Sequence, residues 1–311
     1  MTATGHSITA ADLRGSPARR RRELTIRVLF LAAAGLSIVI SALIIVSLIG
    51  EAANFFINVD KASLFDPAFF PSRELFGMPT LVAGTLVVSL IAMTVATPLG
   101  LGAAVYLSEY ASPRVRRLLK PIVELLAGIP SVVLGYFALT VISRSVVDPL
   151  CPGDTPLSNY AAAGIAVGLL TTPLVAAISE DAMHAVPNAL REASYGLGAR
   201  KRTTSLRIVM PAAVSGIVAA LIIALSRAIG ETMIVAVAAG ATGGARFSVN
   251  PCGSGQVMTA AMTTLAIGSD RPRGDSLAFP SLFFIGLLLF VMTLVLNLVG
   301  ETFVRRVRRS Y

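Results

Sequence analysis

The sequence contains no tryptophan and few charged residues. Charged residues make up 14% of its 311 residues, whereas soluble domains carry roughly 25%. Hydrophobic residues make up 55%. The scarcity of charge excludes an ordinary soluble domain and predicts an integral membrane protein. The absence of tryptophan leaves the six tyrosines and fourteen phenylalanines to form any aromatic belt at the membrane surface.

Lysine and cysteine are also scarce, and each scarcity excludes a kind of site. None of the three lysines, Lys61, Lys120 and Lys201, ends a G-x-x-x-x-G-K-[ST] phosphate-binding loop. The chain therefore has no P-loop ATPase of its own, and any ATP and magnesium are expected on a separate ATPase subunit. Cys151 and Cys252 fit no zinc or haem spacing. We predict no metal site and no cofactor bound by this chain.

Six segments are apolar over about the 20 residues that a helix needs to cross a bilayer core. They cover residues 26–50, 80–107, 121–142, 160–179, 212–240 and 280–304. The predicted fold class is an all-α integral membrane bundle of six transmembrane helices. We expect a basic, cytoplasmic N-terminal tail at 1–24, disordered up to residue 18 because it is small, polar and aperiodic. The transmembrane domain is expected at 25–311.

Basic residues are concentrated in alternate connecting segments. Nineteen of the 26 lie before or at the start of the first apolar segment, between the second and third, between the fourth and fifth, and at or after the end of the last. The positive-inside rule then places both termini in the cytoplasm. The net charge of +9 can also indicate a nucleic-acid partner. Charges that flank apolar segments instead indicate membrane lipid, and we predict no nucleic-acid binding.

The first apolar segment has two interpretations, because an arginine-rich start followed by an apolar run also occurs in cleaved signal peptides. Its length of about 25 residues exceeds the usual signal core of roughly 7 to 15 residues, which favours a retained membrane helix. The arginines at 19–22 then anchor this helix at the cytoplasmic surface.

Cys151 and Cys252 both lie in connections assigned to the outer side of the membrane. An oxidising compartment can join them in a disulfide. The alternative of two unpaired thiols stays open, because sequence alone does not place their Cα atoms within bonding distance.

The connection at about 187–211 predicts a short surface helix. A helix-compatible stretch at 189–195 is followed by Gly196 and Gly198, which can end it because glycine readily adopts the left-handed conformation. Three of its residues share one apolar face: Ala189, Leu190 and Ala193. Such a helix can lie in a groove of a partner protein. A helix that lies on the membrane surface is the alternative.

The spacing in this connection resembles the EAA loop of ABC-importer permeases. The matching residues are Glu192, Ala193, Gly198, Ile208 and Pro211. Ser194 replaces the second alanine of the pattern, and Met210 replaces its leucine. The resemblance implies that the loop forms a coupling helix that docks on an ATPase subunit.

One basic residue, Arg227, lies inside the fifth apolar segment. A charged side chain at the bilayer centre costs about 2.5 to 3.5 kcal/mol on insertion scales, so Arg227 is expected to face protein or water. Glu231 follows four residues later and can pair with it. Two compatible roles follow. The pair can set helix packing, or Arg227 can attract an oxyanion, because guanidinium binds phosphate through two hydrogen bonds.

Three stretches resemble the phosphate-specific ABC permeases, the Pst family. Residues 227–233, RAIGETM, resemble their R-A-x-G-E-T-M signature, and the methionine after the threonine favours the PstC branch over PstA. Residues 124–135, ELLAGIPSVVLG, and 191–199, REASYGLGA, also resemble the PstC branch. The resemblance covers roughly residues 24–304.

The resemblance implies a type I, MetI-like ABC importer permease for inorganic phosphate in a prokaryotic cytoplasmic membrane, with Arg227 and Glu231 on the translocation pathway. It also implies a heterodimer with a PstA-type permease, two PstB-type ATPase subunits and an outer PstS-type phosphate-binding protein. The chain itself is then not an enzyme. A permease for sulfate or molybdate is an alternative. A secondary transporter or a non-transporting scaffold fits the loop spacing and the charged pair less well.

Overall fold

The computed structural model describes residues 17–240, 244–268 and 277–308, with side chains at all of them except 17–20, 307 and 308. The chain divides into two units, Met1–Gly50 and Glu51–Tyr311. Helix α1 (Pro17–Asn58) contains the first predicted span and also the predicted boundary after residue 24. Residues 1–16 of the predicted disordered tail lie outside the described residues. At Pro17 and Ala18 the prediction of disorder was wrong, since proline is favoured in the first turn of a helix.

Helices make up most of the second unit. They are α2 (Met78–Val105, continued as a π-helix at Tyr106–Tyr110), α3 (Pro113–Leu126), α4 (Ser131–Phe137, continued by π- and 3-10 turns to Leu150), α5 (Tyr160–His184), α6 (Asn188–Gly196), α7 (Lys201–Thr204), α8 (Met210–Ala212), α9 (Val214–Ile229), α10 (Met233–Ala238), α11 (Met258–Ile267) and α12 (Ala278–Arg308). Within the described residues, five helical segments are long and apolar enough to cross a membrane. The pair Lys201–Ala212 and Val214–Ile229, bent by 70°, forms a sixth if it crosses as one span.

The third predicted span was placed too early in the chain. Residues 121–142 were expected to form one helix, but α3 ends at Leu126 and α4 begins at Ser131. Pro130 lies between them, lacks a backbone donor and disfavours helix at the preceding residue. No residue of α3 is buried, and the helix is strongly amphipathic. The helical segment with the length of a span is Ser131–Leu150.

The fifth predicted span, 212–240, is interrupted. Helix α9 ends at Ile229, Gly230 occupies the C-cap position, and α10 begins at Met233. Glycine has the lowest helix propensity apart from proline, so a break at this position is inexpensive. The sequence pattern showed a continuous apolar run because the residues on both sides of the break are apolar.

Two features in the connections were not expected from the sequence. Strands β1 (Ala68–Phe70), β2 (Leu75–Phe76) and β3 (Ala245–Arg246) form an antiparallel sheet in the order β2-β1-β3. The strands are two or three residues long, too short for an alternating pattern to reveal them. The ten-residue apolar helix α11 lies in a connection where no helix was predicted.

Helices α2 and α5 pack closely along their length. A methyl group added at Gly168 would lie 2.7 Å from the carbonyl oxygen of Ala92, and one added at Gly100 would lie 2.6 Å from the Cβ of Val175. Small residues allow helix backbones to approach each other inside a membrane. The contact that lies later in α2 also lies later in α5, so the two helices run in the same direction. They form one tightly packed pair.

Candidate functional site

Arg227 and Glu231 form an ion pair at the break in the fifth span. Arg227 Nη2 lies 3.8 Å from Glu231 Oε2, and the two side chains are 59% and 6% exposed. The two residues were expected on one continuous helix, but α9 ends at Ile229. The Glu231 backbone N–H instead donates to the Ala228 carbonyl oxygen at 3.4 Å in a last turn. The carboxylate is therefore buried, while the guanidinium is left largely uncovered by the rest of the chain.

The backbone at the break is held by helix α11. Thr259 Oγ1 donates to the carbonyl oxygen of Glu231 at 2.7 Å. A cavity of about 350 Å³ lies beside this contact, lined by Gly230, Thr232, Thr259, Thr263 and apolar side chains of α11 and α12. Arg227 does not line this cavity. The buried Glu231 carboxylate and a small cavity bordered by threonine hydroxyl groups therefore both lie at the break.

The residue before Arg227 is fixed to the last span. Ser226 Oγ donates to Asn297 Oδ1 of α12 at 2.8 Å. One turn away, a methyl group added at Gly300 would lie 2.6 Å from Ile222, so the two helices also touch closely there. This contact sets the rotation of α9 and hence the direction of Arg227. Sequence reasoning missed Asn297, although a lone amide within an apolar span is a visible signal.

The EAA-like residues lie at the surface of one short helix and in the chain that leads away from it. Glu192 and Ala193 are exposed on α6, and Gly198 has a φ of +78°, the left-handed conformation expected of it. Gly196 is the last residue of α6 and does not adopt a positive φ. Ile208 is half-buried in a π-turn, and Pro211 lies in α8. The first three therefore lie on or directly after α6, whereas the last two lie in the following segment, of which the π-turn with Ile208 packs against α6.

Two contacts of α6 were not predicted. Ser194, which replaces an alanine of the EAA pattern, is buried and its hydroxyl lies 2.9 Å from the hydroxyl of Thr204 in α7. Arg191 pairs with Glu109 at the end of α2 at 2.8 Å. The first contact explains why serine is suited to this position, since its hydroxyl adds a buried hydrogen bond to α7 that alanine would not form.

A second ionic cluster connects α3 to the end of α5. The buried carboxylate of Glu180 accepts hydrogen bonds from Arg116 and, at 2.7 Å, from Lys120 Nζ. Lys120 also pairs with Asp181 at 2.8 Å, and Arg116 lies 3.1 Å from His184 Nδ1. The hydrogen bonds to Asp181 and Glu180 raise the pKa of Lys120 above its ordinary value, so Lys120 keeps its positive charge at neutral pH. Sequence reasoning counted Arg116 and Lys120 only as charges that flank a span, and it missed Glu180 and Asp181.

A disulfide joins Cys151 to Cys252, with Cα atoms 6.0 Å apart. The loop around Cys252 also covers the start of α5, where the backbone N–H groups of Tyr160 and Ala161 donate to the carbonyl oxygens of Gly253 and Pro251 at 3.1 and 2.8 Å. The pairing that the sequence left open is therefore present, and it ties the end of the α4 segment to the loop that covers α5.

Comparison with known families gives one match over most of the chain. The model for "Binding-protein-dependent transport system inner membrane component" matches residues 96–309. The phosphate transport system permease protein PstC 1 of Mycobacterium tuberculosis (strain ATCC 25618 / H37Rv) is 32% identical over 264 residues, which cover 79% of this chain and 77% of the relative. PstC of Mesorhizobium japonicum is 33% identical over 256 residues, covering 76% of each chain. A PstA 1 protein of Mycobacterium tuberculosis (strain CDC 1551 / Oshkosh) is 38% identical over 170 residues, covering 55% of this chain and 53% of the relative.

Two solved structures share the fold. A bacterial ABC transporter involved in the import of the acidic polysaccharide alginate has a TM-score of 0.62 at 18% identity, covering 92% of this chain and 99% of the other. The inward-facing MetNI methionine ABC transporter has a TM-score of 0.53 at 20% identity, covering 74% and 93%. At these identities the likeness concerns the arrangement of helices alone.

Proposed function

The chain belongs to the family of inner membrane components of binding-protein-dependent transport systems, in its PstC group, and we propose that it imports inorganic phosphate. The resemblance predicted from the sequence and the predicted MetI-like permease fold are both confirmed. The chain is a multi-pass membrane protein and a permease subunit. The cargo, the individual partners and the roles of the site residues are the proposal.

The observation that carries the phosphate proposal is the uncovered guanidinium of Arg227 at the break in a span. Its side chain is 59% exposed in this chain, and a charged side chain at the centre of a bilayer costs about 2.5 to 3.5 kcal/mol. We therefore place it on the pathway between this permease and its partner. A guanidinium there offers phosphate a fixed positive charge and two parallel hydrogen bonds.

Glu231 completes the proposed site by limiting how tightly an anion binds. Its carboxylate lies 3.8 Å from the guanidinium and repels an approaching anion. A transport site must release its cargo, and a carboxylate beside the cation keeps phosphate from becoming trapped. The cavity lined by Thr232, Thr259 and Thr263 provides room for small movements at the break.

The exposed helix α6 is the proposed docking surface for the ATPase. Leu190 and Leu197 are 44% and 90% exposed on or beside this helix, next to the exposed Glu192 and Ala193. Exposed apolar residues on a short surface helix fit a groove of a partner protein. ATP binding on the partner ATPases would move α6 and turn the pathway outward, and hydrolysis would reset it. This chain would bind no nucleotide itself.

The proposed assembly places this chain beside a PstA-type permease, over two PstB-type ATPase subunits and under a PstS-type binding protein. Both termini and α6 would lie in the cytoplasm, and the Cys151–Cys252 disulfide would lie outside. The excess of basic residues in the connections on the side of α6 supports this orientation. The disulfide supports it too, because the outer side is the oxidising one.

Uptake of labelled phosphate tests the proposal. Cells with and without this gene, lacking other phosphate importers, are compared at low external phosphate with excess sulfate or molybdate as competitor. Gene-dependent uptake that neither competitor suppresses is expected. Equal phosphate uptake by cells with and without the gene would show that phosphate is not the cargo. Suppression of the uptake by sulfate or molybdate would assign the permease to another oxyanion. Copurification of an ATPase with the tagged chain separates an ABC importer from a secondary transporter.

A further inference from the structure

Arg191, in the first turns of α6, is bonded through nearly all of its side-chain donors. Nε and Nη2 donate to Glu109 Oε1 at 3.2 and 2.8 Å. Nη2 also donates to the Met183 carbonyl oxygen at 2.8 Å, and Nη1 donates to the Val186 carbonyl oxygen at 2.6 Å. The side chains of Arg191 and Glu109 are only 13% and 3% exposed. One guanidinium therefore joins α6 to the ends of two other helices.

Each of these partners lies in the α2–α5 pair or within two residues of the end of α5. Glu109 lies in the π-helical end of α2, Met183 lies in the last turn of α5, and Val186 follows that turn. The Met183 carbonyl oxygen also accepts from the Val186 backbone N–H at 3.3 Å, and a cation at the C-terminal end of a helix is favoured by the helix dipole. Because α2 and α5 are closely packed along their length, a force applied to Arg191 acts on both helices at once.

The chain offers a less direct connection from α6 to the helix that carries Arg227. That route passes the left-handed turn at Gly198, then α7 and α8, and then a 70° bend before α9. This segment packs against α6, but the one described side-chain hydrogen bond between them is the Ser194–Thr204 hydroxyl pair. A bent segment with glycine at its start transmits displacement less faithfully than a buried guanidinium with bonds in several directions.

We propose that Arg191 and Glu109 are positioning residues that transmit the displacement of α6 to the α2–α5 pair during transport. The inference rests on the proposed function, in which α6 docks on an ATPase subunit. Neither residue touches the cargo. The pair makes α6 and the α2–α5 unit move together, so that an ATP-driven shift of α6 changes the position of the helices that pack beside α9 and α10.

Stability alone does not account for this pair. Replacing a buried ion pair by apolar side chains of similar volume is often neutral or stabilising, because burial removes two charges from water. Apolar side chains would not fix the orientation of α6 relative to α2 and α5. Hydrogen bonds from a planar guanidinium fix angles as well as distances, whereas apolar surfaces can slide over one another.

The test uses the complete transporter, purified with its partner subunits and reconstituted in lipid. Glu109→Gln removes the charge but keeps an acceptor, and the double variant Glu109→Leu with Arg191→Met leaves no unpaired buried charge if the single variant folds poorly. Glu301→Gln is the matched control, because Glu301 pairs with Arg305 at 2.5 Å on an exposed helix face. Three quantities are measured: ATP hydrolysis, phosphate taken up per ATP, and backbone hydrogen exchange at 106–111 before and after trapping with ATP and vanadate.

We expect both Glu109 variants to retain the ATPase subunits and to hydrolyse ATP at the wild-type rate. Phosphate uptake per ATP should fall about tenfold, a change typical of residues that carry coupling between sites. The exchange response at 106–111 should be lost, while the control keeps it. A wild-type exchange response in the Glu109 variants would overturn the proposal, as would loss of the ATPase subunits from both, which would make the pair a structural support of α6.

The exchange measurement is independent of the cargo. If the wild-type complex shows the exchange response but takes up no phosphate, the phosphate proposal fails and the role of Arg191 and Glu109 stands. If phosphate uptake is normal and the exchange response is identical in wild type and variants, the role of the pair fails and the phosphate proposal stands.

Discussion

Replacing Arg227 by alanine distinguishes a structural role of this residue from a transport role. Its described ion pair is with Glu231 at 3.8 Å, and the Arg227 side chain is 59% exposed. Because the Glu231 carboxylate is only 6% exposed, removing Arg227 costs more than an exposed ion pair contributes (about 0.2 to 1 kcal/mol) and less than the loss of one partner from a fully buried pair (about 3 to 5 kcal/mol). Alanine has the highest helix propensity, which offsets part of this loss at the end of α9. The variant is therefore expected to be less stable than the wild type but still to fold and assemble.

The expected effect on transport is much larger. A hydrogen bond to a charged group contributes about 1.5 to 3 kcal/mol. If Arg227 makes one such bond to phosphate as the anion passes, its loss slows uptake roughly 10- to 150-fold, since about 1.4 kcal/mol corresponds to a factor of ten. Arg227→Lys keeps the charge but loses the paired donors, so its uptake rate should lie between those of the wild type and the alanine variant.

The assay measures initial rates of labelled phosphate uptake, normalised to the amount of assembled complex, together with the melting temperature of the purified complex. Arg305→Ala is the matched control, because Arg305 also belongs to an i,i+4 ion pair with an exposed side chain. Uptake by Arg227→Ala within twofold of the wild type would refute the transport role. Loss of assembly with Arg227→Ala but not with Arg305→Ala would show that the pair is needed for packing instead.

Three further predictions concern stability and are read from the melting temperature of the purified complex. Glu180→Gln should destabilise the complex by about 2 kcal/mol, less than the 3 to 5 kcal/mol of a fully buried pair, because the two cationic partners are partly exposed. Gly168→Ala should destabilise it by about 1 to 3 kcal/mol, because the added methyl group meets the Ala92 carbonyl oxygen. Replacing Cys151 and Cys252 by serine should lower the melting temperature and remove the linked peptide seen by mass spectrometry without reduction.

Each of these predictions has a matched control. Glu301→Gln removes a carboxylate from an exposed ion pair and should have little effect. Gly102→Ala lies on α2 with open space around the added methyl group, and it should be neutral or stabilising. A reducing agent should destabilise the wild type but not the serine variant. Equal effects in variant and control would contradict the corresponding packing, ion-pair or disulfide argument.

Sequence reasoning succeeded where the signal is local. Most of the spans follow from the length of apolar runs, and the short surface helix α6 follows from residues within about 20 positions of one another. Arg227 and Glu231 are four residues apart, so even an interrupted helix leaves them close enough to pair. Gly198 adopts the positive φ that its place after a short helix predicts.

Sequence reasoning failed where two apolar stretches adjoin a break. The turn between Leu126 and Ser131 and the break after Ile229 both lie within runs that remain hydrophobic across them. Hydropathy measures whether a residue is compatible with lipid or a core, and it does not report whether the backbone continues as helix. The positions of the third and fifth spans were therefore wrong or incomplete, and the predicted six spans are reached only if Lys201–Ala212 and Val214–Ile229 cross as one.

By itself, the sequence determined that this is a membrane permease with a cation in an apolar segment and two cysteines available to pair, and it predicted six spans and a docking loop. Only the tertiary structure decided which distant groups meet. Glu109 and Arg191 are 82 residues apart, and Lys120 and Glu180 are 60 apart. Such pairs form because close packing of α2, α3 and α5 brings their ends together, and that packing depends on side-chain shape along whole helices rather than on any short pattern.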